Sequence, residues 1–293
     1  MPTHMVDKRI GDIRIVGYSL AGEETVIGAP ELNVCFDIGK APREVISLDH
    51  LCITHGHPDH TAGLHYYFTQ RWFIDNEPGT AYLPEHLLKP MQDLMEVWSR
   101  IEGRYTQANF VVATPGEDIK LRRDLILRPF AVNHGVPALG YSAIEVRNKL
   151  KPEFAEKTGP ELVELKKKGV QIEYRLEVPL ITYCGDTAAG DFLDLDHVRN
   201  SKIIFLECTF FDSEHLTRAR AGNHIHVRDL PEIMPRLRNP HIVLIHVTRR
   251  TFLRDAKRQL QDVLKSADLE RTSFLMDRGR NSSRRSEPHG TEC

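Results

Sequence analysis

The chain has 293 residues, of which 41% are hydrophobic, and its formal net charge at pH 7 is −2. This content can bury a core in one large domain or two small ones, and the charge excludes a globally basic protein. The longest apolar runs, such as KIIFLEC and HIVLIHV, are far shorter than the roughly 20 residues of a transmembrane helix. The N-terminus also lacks the apolar segment of a signal peptide, so we expect no membrane association.

Strand-like runs rich in β-branched and aromatic residues recur through the first half of the chain. They are IRIVGYS, LNVCFDI, HLCIT, TAYL, NFVVAT, LILRPFAVN and YSAIEVR. Two helical stretches lie between them, DHTAGLHYYFTQRW and PEHLLKPMQDLMEVWSRI. Asp59 stands where a side chain can cap the start of the first helix, and a proline opens the second.

The second half of the chain repeats this alternation. Its predicted strands are PLITYCGD, SKIIFLECT, HIVLIHV and the closing TSFLM, and its predicted helices are SEHLTRARAG, VRDLPEIMPRL and FLRDAKRQLQDVLKSA. Mixed strands with outer helices in two similar halves predict an α/β (α+β) fold of helix, sheet, sheet and helix layers. We expect one domain over residues 1–276, with a surface insertion at 149–175 and a disordered tail at 277–293.

The five cysteines are scattered along the chain and lack CxxC spacing. Four of them lie in apolar strand-like runs, which predicts buried free thiols rather than a disulfide framework. Free thiols are typical of a reducing compartment, so the sequence favours the cytoplasm.

The stretch LCITHGHPDHTAGL places three histidines and an aspartate within six positions. His55 and His57 are two apart at the end of an extended run, so their side chains share one face. Asp59 and His60 begin the next helix, which turns them toward the same side. Because packing these groups together without a metal would cost desolvation and repulsion, we predict metal binding, with two ions sharing the four residues.

Each ion then needs ligands from elsewhere, and the candidates are polar residues at the ends of apolar strands. His134 ends LILRPFAVNH, Asp186 ends PLITYCGD, and His246 interrupts IVLIHV. A carboxylate such as Asp186 can bridge two ions, and this nitrogen and oxygen set suits zinc, or manganese at lower affinity. Taken singly, His134 would more often be an ordinary histidine, and Asp186 could equally be a turn residue.

THGHPDH resembles the H-x-H-x-D-H signature of the metallo-β-lactamase superfamily, which implies an αββα sandwich with a dinuclear site at one edge. The ordered set of motifs over roughly residues 10 to 276 resembles the tRNase Z family, in particular its short plant-type form. The motifs are GYSLAGEETVIGAPELNVCFDIGKAPREVISLDHLCITHGHPDH, NHGVPALGY, LECTFFD, GNHIHVRDL and LIHVTRR. This resemblance implies an endoribonuclease that removes the 3′ trailer from precursor tRNA and leaves a 3′-hydroxyl on the tRNA.

The resemblance also implies roles for individual residues. One set of implied zinc ligands is His55, His57 and His134, the other is Asp59, His60 and His246, and Asp186 bridges the two ions. Glu207 in LECTF matches the glutamate of the family motif HEATF, and His224 in GNHIH matches the histidine of GHST. His226 lies only two residues after His224, so which of the two histidines matches the motif stays open. The family further implies a homodimer in which each subunit helps to grip the other's tRNA.

These roles agree with the chemistry of phosphodiester cleavage. Zinc lowers the pKa of a bound water to about 7, and Asp59 could orient that water or accept its proton. Glu207 and His224 would deliver a proton to the leaving group. As alternatives, Glu207 only orients metal ligands, and His226 only starts a helix. Arg249 and Arg250 in HVTRRTFLRDAKR are candidates for phosphate contacts.

The sequence departs from the tRNase Z family pattern in the part that grips the substrate. It lacks the Gly-Pro-rich extended arm of many family members, and KPEFAEKTGP resembles a reduced version of that arm. The alternative function is a metallo-β-lactamase-fold hydrolase of a small phosphodiester, sulfate ester, thioester or lactone. A non-catalytic RNA-binding relative is a third candidate, but the intact ligand set argues against it.

Overall fold

The structure is a computed structural model that describes residues 5–277. Apart from Asp277, the tail predicted to be disordered, residues 277–293, therefore lies outside the described residues. Cys35, Cys52, Cys184 and Cys208 are buried and free, as the apolar runs around them predict. Among the described residues, no helix is both long and apolar enough to cross a bilayer.

The first half of the chain forms most of one mixed sheet. Its strands are β1 (Val6–Ile10), β2 (Ile13–Ala21), β3 (Glu24–Ala29), β4 (Val34–Phe36), β5 (His50–Cys52), β6 (Thr80–Leu83) and β7 (Asn109–Val112), hydrogen-bonded in that order. Pairing is antiparallel from β1 to β4 and parallel from β4 to β7. A short strand from the second half, β14 (Val247–Thr248), pairs with β2 in parallel and so joins the two halves of the chain.

The second sheet repeats this arrangement. Its strands are β8 (Ile119–Arg122), β9 (Leu125–Ala131), β10 (Leu139–Leu150), β11 (Glu173–Tyr183), β12 (Ile203–Glu207), β13 (His241–Ile245) and β15 (Thr272–Phe274). Pairing is antiparallel from β8 to β11 and parallel through β12, β13 and β15. The carboxyl ends of both parallel sets lie at one edge of the molecule, where ligands commonly bind.

Helices lie outside both sheets, and one of them, at Gly159–Lys167, stands on an exposed hairpin with no buried residue. They are α1 (Pro58–Thr61), α2 (Leu64–Phe73), α3 (Glu85–Glu102), α4 (Gly159–Lys167), α5 (Asp196–Arg199), α6 (Leu216–Gly222), α7 (Leu230–Ile233), α8 (Leu253–Val263) and α9 (Ser266–Glu270). Between the sheets Phe36 stacks on Tyr183, with ring centroids 5.3 Å apart, inside the central apolar core. One further apolar cluster lies between each sheet and its helices, so the predicted layers of helix, sheet, sheet and helix are confirmed.

The helix predicted from Asp59 to Trp72 is interrupted, and its start differs from the prediction. His57, not Asp59, is the residue that precedes the first turn, because Pro58 takes the first helical position. The chain then breaks at Gly63, whose amide donates to the Gly39 carbonyl at 2.6 Å and which has no room for a side chain against Ala41. This close contact with a distant loop separates α1 from α2, and sequence periodicity gives no sign of it.

The segment 149–175 connects β10 to β11 at the end of a long hairpin. It contains the last residues of β10, a short turn at Pro152–Phe154, the helix α4 and the first residues of β11. Most of its side chains are exposed to solvent. A capping box at Thr158 and Glu161 supports the start of α4, which explains how a helix forms there without a buried face.

Candidate metal centre

The residues singled out as metal ligands meet at the shared edge of the two sheets. His55 follows β5, His134 follows β9, Asp186 follows β11 and His246 follows β13. His246 has a positive φ of 59°, a conformation that turns the chain sharply at the end of β13. Gly185 also has a positive φ, of 61°, in the turn that presents Asp186.

The first group contains His55, His57, His134 and Asp186, with ligand atoms that all lie within 4.8 Å of one another. His55 Nε2 is 2.9 Å from His57 Nδ1, and His134 Nε2 is 3.4 Å from the same atom. His55 Nε2 lies 3.9 Å from Asp186 Oδ2. Three imidazoles and one carboxylate thus face a common centre.

The second group contains Asp59, His60 and His246. Asp59 Oδ2 lies 3.4 Å from His246 Nε2 and 3.7 Å from His60 Nε2. Asp186 contacts this group as well, because its Oδ1 is 3.4 Å from His60 Nε2 and its Oδ2 is 3.3 Å from His246 Nε2. The carboxylate of Asp186 therefore stands between the two groups, in a position that can serve both.

Two atoms of this cluster show that a cation fits here. His60 Nε2 and Asp186 Oδ1 are buried and have no hydrogen-bond partner among residues 5–277. A buried polar atom left unpaired costs about 1–3 kcal/mol, which coordination of a cation would relieve. Imidazole nitrogens with carboxylate oxygens form a donor set that suits a divalent metal ion.

The charges around His60 favour a positive charge at the same place. Burial would lower the pKa of His60, but the carboxylates of Asp186 and Asp37 raise that pKa well above its usual range. Burial would raise the pKa of Asp186, but His246, His60 and His55 keep it well below its usual range. The same field attracts a metal cation, which would provide the positive charge in place of a proton.

Asp37 is a residue of this centre that the sequence analysis missed. Its carboxylate accepts hydrogen bonds from the Thr54 amide at 2.8 Å and the Tyr183 hydroxyl at 2.7 Å, and its Oδ2 is 2.7 Å from His60 Nδ1. Because the carboxylate accepts, His60 donates from Nδ1 and leaves Nε2 free to bind a metal. Asp37 ends the apolar run LNVCFD, so the signal that identified Asp186 could also have found it.

Glu207 lies beside the metal-binding groups and is fully buried. Its Oε1 accepts from the Thr187 amide at 2.7 Å and lies 2.7 Å from His224 Nδ1. Its Oε2 accepts from the Thr209 hydroxyl at 2.6 Å. The predicted pairing of Glu207 with His224 is therefore present in the structure.

Thr209, which no pattern in the sequence singled out, links this pair to the candidate metal ligands. Its hydroxyl proton is used toward Glu207, so its oxygen accepts from His246 Nδ1, which is 2.9 Å away. His246 therefore donates from Nδ1, so Nε2, which faces the acceptor oxygens of Asp59 and Asp186, is the nitrogen that a metal ion would bind.

The two neighbouring histidines, His224 and His226, differ in their surroundings. His224 lines the cavity in front of the metal-binding groups. Burial lowers its pKa, but Glu207 outweighs this effect and raises the pKa to about 9. His226 is buried away from this cavity, where Nε2 donates to the Asp212 carbonyl and Nδ1 accepts from the Arg228 amide. His226 Nδ1 thus caps the turn at Val227–Asp229, while Nε2 binds a different segment at Asp212.

The cavity measures about 900 Å³ and opens to solvent over the metal-binding groups. Three arginines line it: Arg218, Arg249 and Arg250. Arg249 Nη1 lies 3.4 Å from Glu23 Oε2, and the Arg249 side chain is 64% exposed. Cationic side chains at the mouth give the cavity a charge suited to an anionic ligand.

Comparison with known proteins identifies the family. The family described as a β-lactamase superfamily domain matches residues 32–247. The tRNase Z TRZ1 of Arabidopsis thaliana is 32% identical over 244 residues, which cover 82% of this chain and 87% of that protein. The chain belongs to the tRNase Z family. A second member of this tRNase Z family, the chloroplastic TRZ2 of Arabidopsis thaliana, is 32% identical over 247 residues, or 83% of this chain and 70% of that protein.

Solved structures agree with the tRNase Z assignment at the level of the fold. The metallo-β-lactamase fold protein YhfI of Bacillus subtilis superposes with a TM-score of 0.59 at 12% identity, covering 87% of this chain and 92% of that chain. The short form of human tRNase Z superposes with a TM-score of 0.52 at 16% identity, covering 80% and 86%. Membership of the tRNase Z family makes the chain a metal-dependent nuclease, as the motif order predicted.

Proposed function

We propose that this protein is a zinc-dependent endoribonuclease that removes the 3′ trailer from precursor tRNA and leaves a 3′-hydroxyl on the tRNA. The observation that carries the proposal is the Glu207–His224 pair, which adjoins two metal-binding groups in one cavity lined by arginines. A ligand set alone would serve any hydrolase of the superfamily. An acid–imidazole pair beside it suits a substrate whose alkoxide leaving group needs a proton.

In this proposal each of the two groups holds one zinc ion. His55, His57 and His134 would hold the first, Asp59, His60 and His246 the second, and Asp186 would contact both. Manganese can replace zinc with the same donors at lower affinity. Bound metal supplies a water of lowered pKa and positive charge for the phosphoryl oxygens.

The side chains of the protein then have distinct tasks. Asp59 lines the cavity, and the Gly22 amide donates to its Oδ2 at 2.8 Å, which orients the carboxylate to accept a proton from the attacking water. As the P–O3′ bond breaks, His224 gives a proton to the departing 3′ oxygen. Glu207 holds His224 through Nδ1, which leaves Nε2 to transfer the proton. Because both His226 nitrogens are already hydrogen-bonded to backbone groups, we assign the donor role to His224.

Arg218, Arg249 and Arg250 would bind phosphates on either side of the cleaved bond. The hairpin segment 149–175 is proposed as the reduced arm that grips the tRNA away from the site, within a single domain over residues 1–276. We also propose a homodimer, in which that arm reaches the partner's tRNA. The buried free thiols support the cytoplasm as the compartment, although relatives named for the chloroplast and the nucleus exist.

The test is to incubate the purified protein with a precursor tRNA that carries a 3′ trailer, with and without a chelator, and to map the product end. We expect cleavage at the tRNA 3′ end that the chelator stops and that a His57→Ala variant loses. Turnover confined to small chromogenic esters would instead support the alternative hydrolase of small phosphodiesters, sulfate esters, thioesters or lactones. Full activity of His57→Ala would contradict the metal-dependent mechanism.

A further inference from the structure

A second cavity adjoins the catalytic one. It measures about 390 Å³, and Thr248 and Arg249 line both cavities. Most of its remaining wall is apolar and includes Leu20, Val247, Leu253, Phe274 and Met276. Its size falls within the range of about 300–1,000 Å³ that is common for small-molecule sites. An apolar space of this kind directly beside a cationic catalytic cavity has no part in metal binding or proton transfer.

Phe252 stands at the rim of this second cavity and is 77% exposed. It immediately precedes α8, and that helix buries Ala256 and Leu260 but leaves Phe252 in solvent. The side chain therefore contributes little to the stability of the fold. Its exposed ring next to a cavity is instead available to a ligand with a flat apolar face.

Arginines flank this ring on both sides in the sequence. Arg249 and Arg250 precede it and line the catalytic cavity, and Arg254 follows it with 89% of its side chain exposed. Acidic groups accompany them, since Glu23 contacts Arg249 and Asp255 lies 3.8 Å from Arg254. An exposed aromatic ring among guanidinium groups is the combination with which proteins bind single-stranded nucleic acid, stacking the base and contacting the phosphate.

We propose that Phe252 stacks on an unpaired base adjacent to the cleaved phosphate and holds that base over the apolar cavity. This inference rests on the proposed function, because it takes the RNA in the catalytic cavity as its starting point. Because Arg249 lines both cavities, a nucleotide next to the cleaved phosphate would lie close enough to contact the second cavity. Stacking is tolerant of sequence, so this subsite selects for an unpaired strand and not for a particular base.

The first experiment measures steady-state cleavage of a precursor tRNA with a single-stranded trailer by the full-length, metal-loaded protein. Phe252→Ala should raise KM about tenfold with kcat changed less than twofold, because loss of one base stack is worth about that factor. Phe252→Trp should retain the wild-type KM. Tyr105→Ala is the matched control, since Tyr105 is 78% exposed but lines neither of these cavities.

The second experiment removes single bases from the same substrate on either side of the cleaved bond. At one position, loss of the base should raise the wild-type KM about tenfold and should cause no further loss in Phe252→Ala. If every abasic substrate adds its full effect to that of Phe252→Ala, the ring does not stack on a base and the proposal is wrong. An equal response of Phe252→Ala and Tyr105→Ala to the intact substrate would overturn it as well.

A third measurement separates this inference from the proposed function. Binding of a fluorescent single-stranded oligoribonucleotide in the presence of a chelator requires no cleavage. Phe252→Ala should weaken this binding about tenfold relative to Tyr105→Ala and wild type. If the wild type fails to cleave precursor tRNA, the proposed function is wrong. This binding measurement still shows whether Phe252 binds an unpaired base.

Discussion

His60 Nδ1 lies 2.7 Å from the carboxylate of Asp37, a residue that is fully buried and 23 positions earlier in the chain. Asp37 directly follows β4 and has a positive φ of 50°, a turn that brings its side chain to His60 in α1. The contact sets the tautomer of His60 and aims Nε2 at Asp186. We therefore expect binding of metal by the second group to depend on Asp37, which lies behind His60 and not among the candidate ligands.

We expect Asp37→Asn to weaken metal binding by about 10–100-fold, because the amide no longer holds the His60 tautomer. Competition with a chromogenic chelator measures the affinity. Asp124→Asn is the control, since Asp124 is half-exposed and pairs with Arg122 on the surface. Equal affinity of the two variants would show that Asp37 does not orient a metal ligand.

Thr209 should matter through its hydroxyl, which joins Glu207 to His246. Thr209→Val keeps the shape but removes both hydrogen bonds, and we expect metal affinity to fall by at least tenfold. Thr209→Ser retains the hydroxyl and should bind metal like the wild type. Metal content after dialysis gives the result, and normal retention by Thr209→Val would exclude this role.

Replacement of His224 should affect substrates according to their leaving group. His224→Ala should lower kcat for precursor tRNA by about 10²–10⁴-fold, since the 3′ alkoxide needs a proton. Cleavage of bis(p-nitrophenyl) phosphate should change far less, because nitrophenolate departs without one. The ratio of the two rates is the measurement. Equal losses on both substrates would indicate that His224 positions other groups and donates no proton.

Arg250 should bind RNA through charge. Arg250→Ala is expected to weaken binding of precursor tRNA and to reduce the slope of log K against log salt concentration by about one. Lys89→Ala is the control, because Lys89 is 77% exposed on α3 and lines neither cavity. A slope that changes equally in both variants would show that Arg250 has no specific phosphate contact.

Arg71 should stabilise the fold without any role in cleavage. It is 1% exposed, and its guanidinium donates to the carbonyls of Ile46 at 2.9 Å and Glu77 at 2.6 Å. Arg71→Met should lower the free energy of unfolding by about 2–4 kcal/mol, because it leaves buried carbonyls unpaired. Urea denaturation measures this loss, and the exposed Arg100→Met should stay within about 0.5 kcal/mol of wild type.

The ligand chemistry was readable from the sequence because it depends on short-range geometry. Residues that are two positions apart in an extended chain face the same way. The side chains of His55 and His57 are therefore expected to point to one side whatever surrounds them. His134, Asp186 and His246 could be found because each is a polar residue at the end of an apolar strand. The same patterns predicted the layered fold and most of its strands, but they missed β1, β3 and β8 and the helices α4 and α5.

Only the tertiary structure decided how these residues are partnered. It brought Asp37 to His60 and Thr209 to His246, separated His224 from His226, and opened a second cavity beside Phe252. It also ended the first helix near Gly63, which packs against the loop at Ala41 that precedes β5. These features depend on how two sheets and distant loops pack, and spacing along the chain does not predict such contacts. Residue type and local spacing determine which chemistry is available, whereas long-range packing determines which atoms carry it out.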